Sequence, residues 1–281
     1  MSGATQTWPA SVELRLCAEA GRTRLARCAH QGPLYVQRPF YPEGPAHPHF
    51  YLLHPPGGIV SGDQLQIRVD MAADSSALMT TPGAARVYRA RDHNPQQCQS
   101  SRLRLDTGAI LEWFPMETIV YDGASVALET TVELAEDSRF IGWELNCFGL
   151  PASNQPFSCG RFAQRYRIMR EGAPVFVDSF SLDDSNRSLM LSGPAGLRGQ
   201  PVTGIFLAGP FAGGECASLL QALRDATPDN GVALSWSGDW LVGRYLGASA
   251  DRARKLYLAW WRILRPSLLG RDACVPRIWF T

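Results

Sequence analysis

The chain has 281 residues, 45% of them hydrophobic and 19% charged, which is the balance of a folded globular protein and excludes a disordered one. Its formal net charge is +1, Lys255 is its only lysine and it carries no basic block, which argues against nucleic acid as a partner. No apolar run follows a basic start, and the most apolar late segment, LYLAWWRILRPSLLG, is broken by Arg262 and Arg265, so the expectation is a cytoplasmic protein without a membrane span. Seven cysteines without a C-x-x-C pair exclude a disulfide framework or zinc knuckle, and most are expected as buried thiols.

Period-two alternation and β-branched or aromatic runs recur from the start: VELRL, PLYVQRPF, QLQIRV, ALMTT, ARVYRA, SRLRLD, ILEWF, TIVY, VALETTVELA, RFIGWELNCF, RFAQRYRIM, PVFVDSF and GIFLA. These predict strands. Turn signals such as DTGA, YDGA, REGAP and LRGQP lie between them, which makes antiparallel pairing the economical expectation. With no ten-residue helical pattern between consecutive strands in the first two hundred residues, a βαβ architecture is excluded. Two helices are expected in the C-terminal third. ECASLLQALRDAT places Leu219, Leu220 and Leu223 on one face, and SADRARKLYLAWWRILRP starts at a Ser249 cap and is expected to stop at Pro266. Between them VALSWSGDWLVGRYLG reads as a hairpin turning on Ser237, Gly238 and Asp239. Leu256, Trp260, Ile263 and Leu264 form a helical stripe, and Trp260 and Trp261 are not expected both to point inward, which leaves one as a partner contact. The fold class is therefore all-β dominated with two late helices, and nothing marks a linker that would divide residues 1–281.

The stretch HPPGGIVSGD, His54 to Asp63, is more constrained than an ordinary loop. Its glycines do not follow G-x-G-x-x-G and no G-K-[ST] follows, so a phosphate cradle is not encoded and a Pro-fixed turn between strands is the simpler reading. All five histidines precede residue 94. His47 and His49, at strand spacing, could offer two imidazoles to a metal, and a β-rich metallohydrolase using them with Asp63 is the competing functional class. They flank Pro48, so an exposed loop is the favoured reading. Carboxylates are more suggestive: Glu112, Glu117 and Asp122 fall within EWFPMETIVYDGA, and Glu144 sits inside the apolar RFIGWELNCFG. Such a group must face solvent, pair with an arginine or line a polar cavity. No G-x-S-x-G elbow and no histidine after residue 93 exists to complete a triad.

Seven blocks in order, GPLYVQRPFYPEG, YLLHPPGGIVSGDQL, LMTTPGAARVYR, GAILEWFPMETIVYDGA, FIGWELNCFGLPA, GRYLG and LRPSLLGRDACVPRIWFT, resemble the UreD (UreH) family of urease accessory proteins over nearly the whole chain. The resemblance implies a helical-type β-sheet architecture with two helices and no catalytic activity of its own. It implies a scaffold that works with UreF and the GTPase UreG on urease apoprotein (UreA, UreB, UreC), with nickel in transit and no permanent cofactor, and it leaves room for a dimer of the accessory complex. An internal polar route for nickel would draw on Asp63, Thr80, Thr81, Glu117, Asp122 and Glu144, and a partner surface on Arg38, Phe40, Tyr41, Trp260 and Trp261. Ser61 and Met116 depart from the family's usual glycine and glutamine, and neither change removes a charged group.

Overall fold

The computed structural model describes residues 7–91, 96–213, 216–227 and 231–280; His93 and the start of the second-last predicted helix, Glu215, lie outside them. In chain order the strands are β1 (Trp8–Glu19), β2 (Arg22–Gln31), β3 (Tyr35–Val36), β4 (His49–Leu53), β5 (Asp63–Met71), β6 (Ser76–Thr80), β7 (Ala85–Val87), β8 (Gln97–Leu105) and β9 (Ile110–Phe114). They continue with β10 (Thr118–Val120), β11 (Ser125–Leu134), β12 (Arg139–Phe148), β13 (Arg161–Arg170), β14 (Ala173–Leu182), β15 (Val202–Gly209), β16 (Val232–Ser237) and β17 (Trp240–Gly247). The helices are α1 (Arg187–Ser192), α2 (Cys216–Asp225) and α3 (Ala250–Leu269). An outer sheet runs β14-β13-β11-β8-β5-β1-β2, and an inner sheet runs β16-β17-β15-β12-β9-β6-β4-β3 with β10 and β7 attached beside β12.

The strand-dominated class holds, but the pairing at the centre is parallel. β1, β5, β8, β11 and β13 run parallel in the outer sheet, and β4, β6, β9 and β12 run parallel in the inner one. Antiparallel pairs are confined to the flanks, such as β1–β2, β13–β14, β12–β15 and β16–β17. The chain alternates between the sheets, so the long crossover that parallel neighbours require is supplied by a strand of the facing sheet and not by a helix. DTGA and YDGA are accordingly corners that swing the chain to the other sheet, whereas REGAP and the Gly238 turn are true hairpins, joining β13–β14 and β16–β17. Four residues rich in Gly and Asp serve either purpose, and the local sequence does not say which.

Two apolar layers follow. One lies between the sheets, around Val69, Leu103, Val132, Leu111, Trp113 and Phe140. The other lies between the inner sheet and the helices, around Phe114, Trp143, Phe206, Tyr257, Trp260 and Trp261. Both tryptophans of α3 are 0% exposed, which corrects the expectation that one faces a partner. Trp260 meets Phe206 edge-on and donates its Nε1–H to Thr227 after α2, while Trp261 turns to Phe114 of β9, so α3 is covered on both flanks. Helix α3 also continues past Pro266, which lies within its last turn. It ends at Gly270, whose φ of 66° carries the left-handed cap and whose N–H reaches the Pro266 carbonyl. Ser249 caps its start by accepting from the Arg252 N–H. All seven cysteines are free, but only Cys147 is buried, and Cys28 and Cys159 are exposed, against the expectation of mostly buried thiols. No helix of the described residues is long and apolar enough to cross a membrane.

Candidate functional site

The pleat of the inner sheet separates its polar residues onto two faces. On β12, Phe140 and Phe148 belong to the layer between the sheets, while Ile141, Trp143, Leu145 and Cys147 belong to the helix layer. Glu144 therefore looks into the space between the sheets. Its Oε1 accepts a hydrogen bond from Thr130 of β11 at 2.5 Å and its Oε2 one from Gln164 of β13 at 2.6 Å, and the Gln164 Oε1 accepts from Asn146 at 2.9 Å. Tyr166 on β13 sits opposite Thr130 in register, with its hydroxyl buried and without a protein partner. Among the described residues no cation meets this carboxylate, and burial raises its pKa to about 7 in spite of the two hydrogen bonds.

A cavity of about 220 Å³ opens on the same inter-sheet side, lined among others by His54, Gly57, Gly58, Thr81, Trp113 and Thr118. Trp113 and Thr118 pair in register with Gly142 and Asn146, the residues on either side of Glu144 along that face. The HPPGG bend is thus one wall of this cavity. Gly58 is required there because a Cβ would fall 2.3 Å from the Tyr88 ring. The Trp113 Nε1–H, on the cavity wall, is buried without a partner.

The opposite face of the inner sheet holds a second cluster, beneath α3. Arg265 is 0% exposed. Its guanidinium reaches Glu112 through Nε at 2.9 Å and Nη2 at 2.8 Å, and Glu43 through Nη1 at 2.7 Å and Nη2 at 2.8 Å. Trp261 donates its Nε1–H to Glu112 at 2.6 Å and His47 bonds the same carboxylate at 2.8 Å. Burial keeps His47 below the ordinary imidazole range, so the ring donates from Nε2 and accepts at Nδ1 from the Ser76 hydroxyl at 2.6 Å. His49 bonds Glu43 at 2.9 Å. Against the upward push of burial, the bonds from His49 and Arg265 hold Glu43 down to about 2. Both histidines are 0% exposed, so the expected exposed loop is instead a buried segment held by charge.

The other predicted residues do not converge on one point. Thr80 faces the helix layer, donating to the Phe114 carbonyl at 2.5 Å and accepting from Trp279 at 2.9 Å. Thr81 stands at the cavity, where its hydroxyl donates to the Gly83 carbonyl. Glu117 pairs with Arg254 at 3.2 Å. Asp122 accepts from the Ser158 and Cys159 N–H groups at 2.7 and 2.8 Å, which outweigh burial and lower its pKa. Asp63 accepts from the Val60 N–H in its turn, and neither metal-competent group of the described residues that contains His47 or His49 includes it. Arg38 is exposed, and Phe40 and Tyr41 are 44% and 50% exposed. The residues that sequence reasoning passed over are Glu43 and Arg265. Arg265 lies one turn after Trp261 on the buried stripe of α3, and a charge at such a position demands a buried carboxylate.

A family model described as UreD urease accessory protein matches residues 9–280. The chain belongs to the UreD urease accessory protein family. The urease accessory protein UreD of Marinomonas sp. (strain MWYL1) is 41% identical over 287 residues, covering 99% of this chain and 91% of the relative. That of Hahella chejuensis (strain KCTC 2396) is 40% identical, covering 98% and 91%, and that of Dechloromonas aromatica (strain RCB) is 40% identical, covering 98% and 95%. A match over residues 9–280 takes in both clusters and the helices that cover them, and it ties this chain to the urease machinery.

Proposed function

We propose that this chain serves nickel insertion into the urease apoprotein (UreA, UreB, UreC) in the cytoplasm, as the scaffold of a complex with UreF and the GTPase UreG, and that nickel crosses it along the inter-sheet face. Family membership supports the role. The observation that carries the route is Glu144, a carboxylate between two sheets with hydroxyl and amide neighbours and no arginine among its described partners. Oxygen donors of this kind hold a divalent ion weakly, and a chaperone that must release its cargo needs fast exchange. The proposed path would lead from the cavity lined by His54, Thr81 and Thr118, past Asn146, to Glu144. With a pKa near 7, that carboxyl is an anion for part of the time and a neutral acid for the rest, so it attracts a cation without fixing it.

Glu117, Asp122 and Asp63 are satisfied by other groups and serve the fold. Arg38, Phe40 and Tyr41 remain the candidates for the partner surface, since the α3 tryptophans are buried. Deleting the chain and restoring it in a urease-producing cell tests the role. The deletion strain should make urease that is nickel-poor and nearly inactive, with both defects repaired on restoration; normal nickel occupancy without the chain contradicts the proposal.

A further inference from the structure

Helix α3 stops at Gly270, and the segment that follows folds back so that the Cys274 thiol comes to rest by Glu43 and His49. One donor atom from each of the three lies within 4.8 Å of the others. Glu43 comes from the loop before β4, His49 opens β4, and Cys274 arrives from more than two hundred residues later, so the tertiary fold and not local spacing assembles the group. A second grouping, Glu43, His47 and Glu112, has similar dimensions. Its ligands are taken up already: Glu112 accepts from Arg265, Trp261 and His47 and both ring nitrogens of His47 are bonded, whereas Glu43, which Arg265 also bonds, stands in the first group beside a His49 nitrogen without a partner. The Cys274 group lies at the margin of this cluster, with Cys274 partly exposed and the Glu43 side chain 11% exposed, so an ion has access.

We propose that Glu43, His49 and Cys274 bind one divalent ion of the borderline transition-metal class, with a fourth position left open. Thiolate, imidazole and carboxylate together form the mixed donor set that such ions take, and three protein ligands leave room for exchange. A tetrahedral ion places these donor atoms about 3.4–3.6 Å apart, so the His49–Glu43 pair, at 2.9 Å, must open slightly to admit it. A neutral imidazole leaves one ring lone pair unsatisfied in either tautomer. With the proton on Nε2, the buried Nδ1 lone pair has no partner. With the proton on Nδ1, the Nε2 lone pair and the Glu43 carboxylate confront each other at 2.9 Å.

Charge balance supports the same reading. Glu43 and Glu112 are matched by Arg265 and by Arg271, whose Nη1 is 3.9 Å from Glu43 and whose side chain is 31% exposed. Binding a dication releases the thiol proton to solvent, forms the metal–sulfur bond and leaves the imidazole neutral. The cluster then gains one positive charge, and withdrawal of Arg271 into water restores neutrality. The inference rests on this donor set and not on the transport reading.

Cobalt(II) titration of the purified full-length chain tests it, with a thiolate-to-metal charge-transfer band and proton release as readouts. The expected result is one equivalent bound and one proton released; Cys274→Ser loses the band and at least about tenfold in affinity with its melting temperature unchanged, and Arg271→Gln binds more tightly. The absence of a band in the wild-type chain at saturating cobalt, or a band of equal size in Cys274→Ser from the exposed Cys28 and Cys159, overturns it.

Discussion

Glu144 concentrates the energetic tension of the molecule in one side chain. Its folded pKa of about 7 lies above the ordinary 4.5, so the folded chain holds a proton that the unfolded chain releases. The stability tied to that proton is complete below pH 4.5, declines as pH rises toward 7 and is gone above it. Glu144→Gln, an isostere of the neutral acid, should therefore stabilise the protein at pH 8 by about 3 kcal/mol at most and leave it little changed at pH 4.5. Denaturant unfolding at the two pH values checks this, and a mutant that is less stable at pH 8 would assign the site a structural role. The sequence made Glu144 conspicuous as a carboxylate in an apolar strand, but its partners were illegible. Thr130 and Gln164 come from strands of the facing sheet, and contacts between sheets leave no local signature.

At the level of elements, the position and type of most strands were legible because alternation reports a half-buried surface directly. Pairing was not, because a short Gly-Asp turn can reverse a chain within its sheet or carry it to the next one. Helix α3 shows the same division. Its stripe and Ser249 cap were readable, whereas the burial of Trp260 and Trp261 together depended on β9, β15, β17 and α2 all closing around it. Its attachment to the inner sheet runs through Arg265, which two carboxylates satisfy. Arg265→Met should destabilise the chain by about 3–5 kcal/mol, since it strands Glu43 and Glu112 as buried, uncompensated charges. The paired change with Glu112→Gln should recover part of that loss. A single substitution of under 1 kcal/mol by denaturant melting would mean that the cluster is far more hydrated than its burial indicates.

For the whole molecule, the layers hold the fold, and the aromatic side chains they leave uncovered are the proposed partner surface. Phe40 stacks on Tyr51 with ring centroids 4.8 Å apart and yet is 44% exposed, and Tyr41 beside it is 50% exposed, which suits an aromatic anchor at an interface. Phe40→Ala with Tyr41→Ala should weaken co-purification with UreF and UreG while shifting the melting temperature little. Trp260→Ala should instead cost about 3–5 kcal/mol of stability, and a reversed pattern would return the tryptophans to the partner surface. The central claim is that nickel passes the inter-sheet face at Glu144, and nickel per urease active site tests it most directly when measured in cells carrying Glu144→Leu with the accessory complex still co-purifying. The account expects occupancy to fall severalfold although the complex assembles; full nickel occupancy in that variant would contradict it.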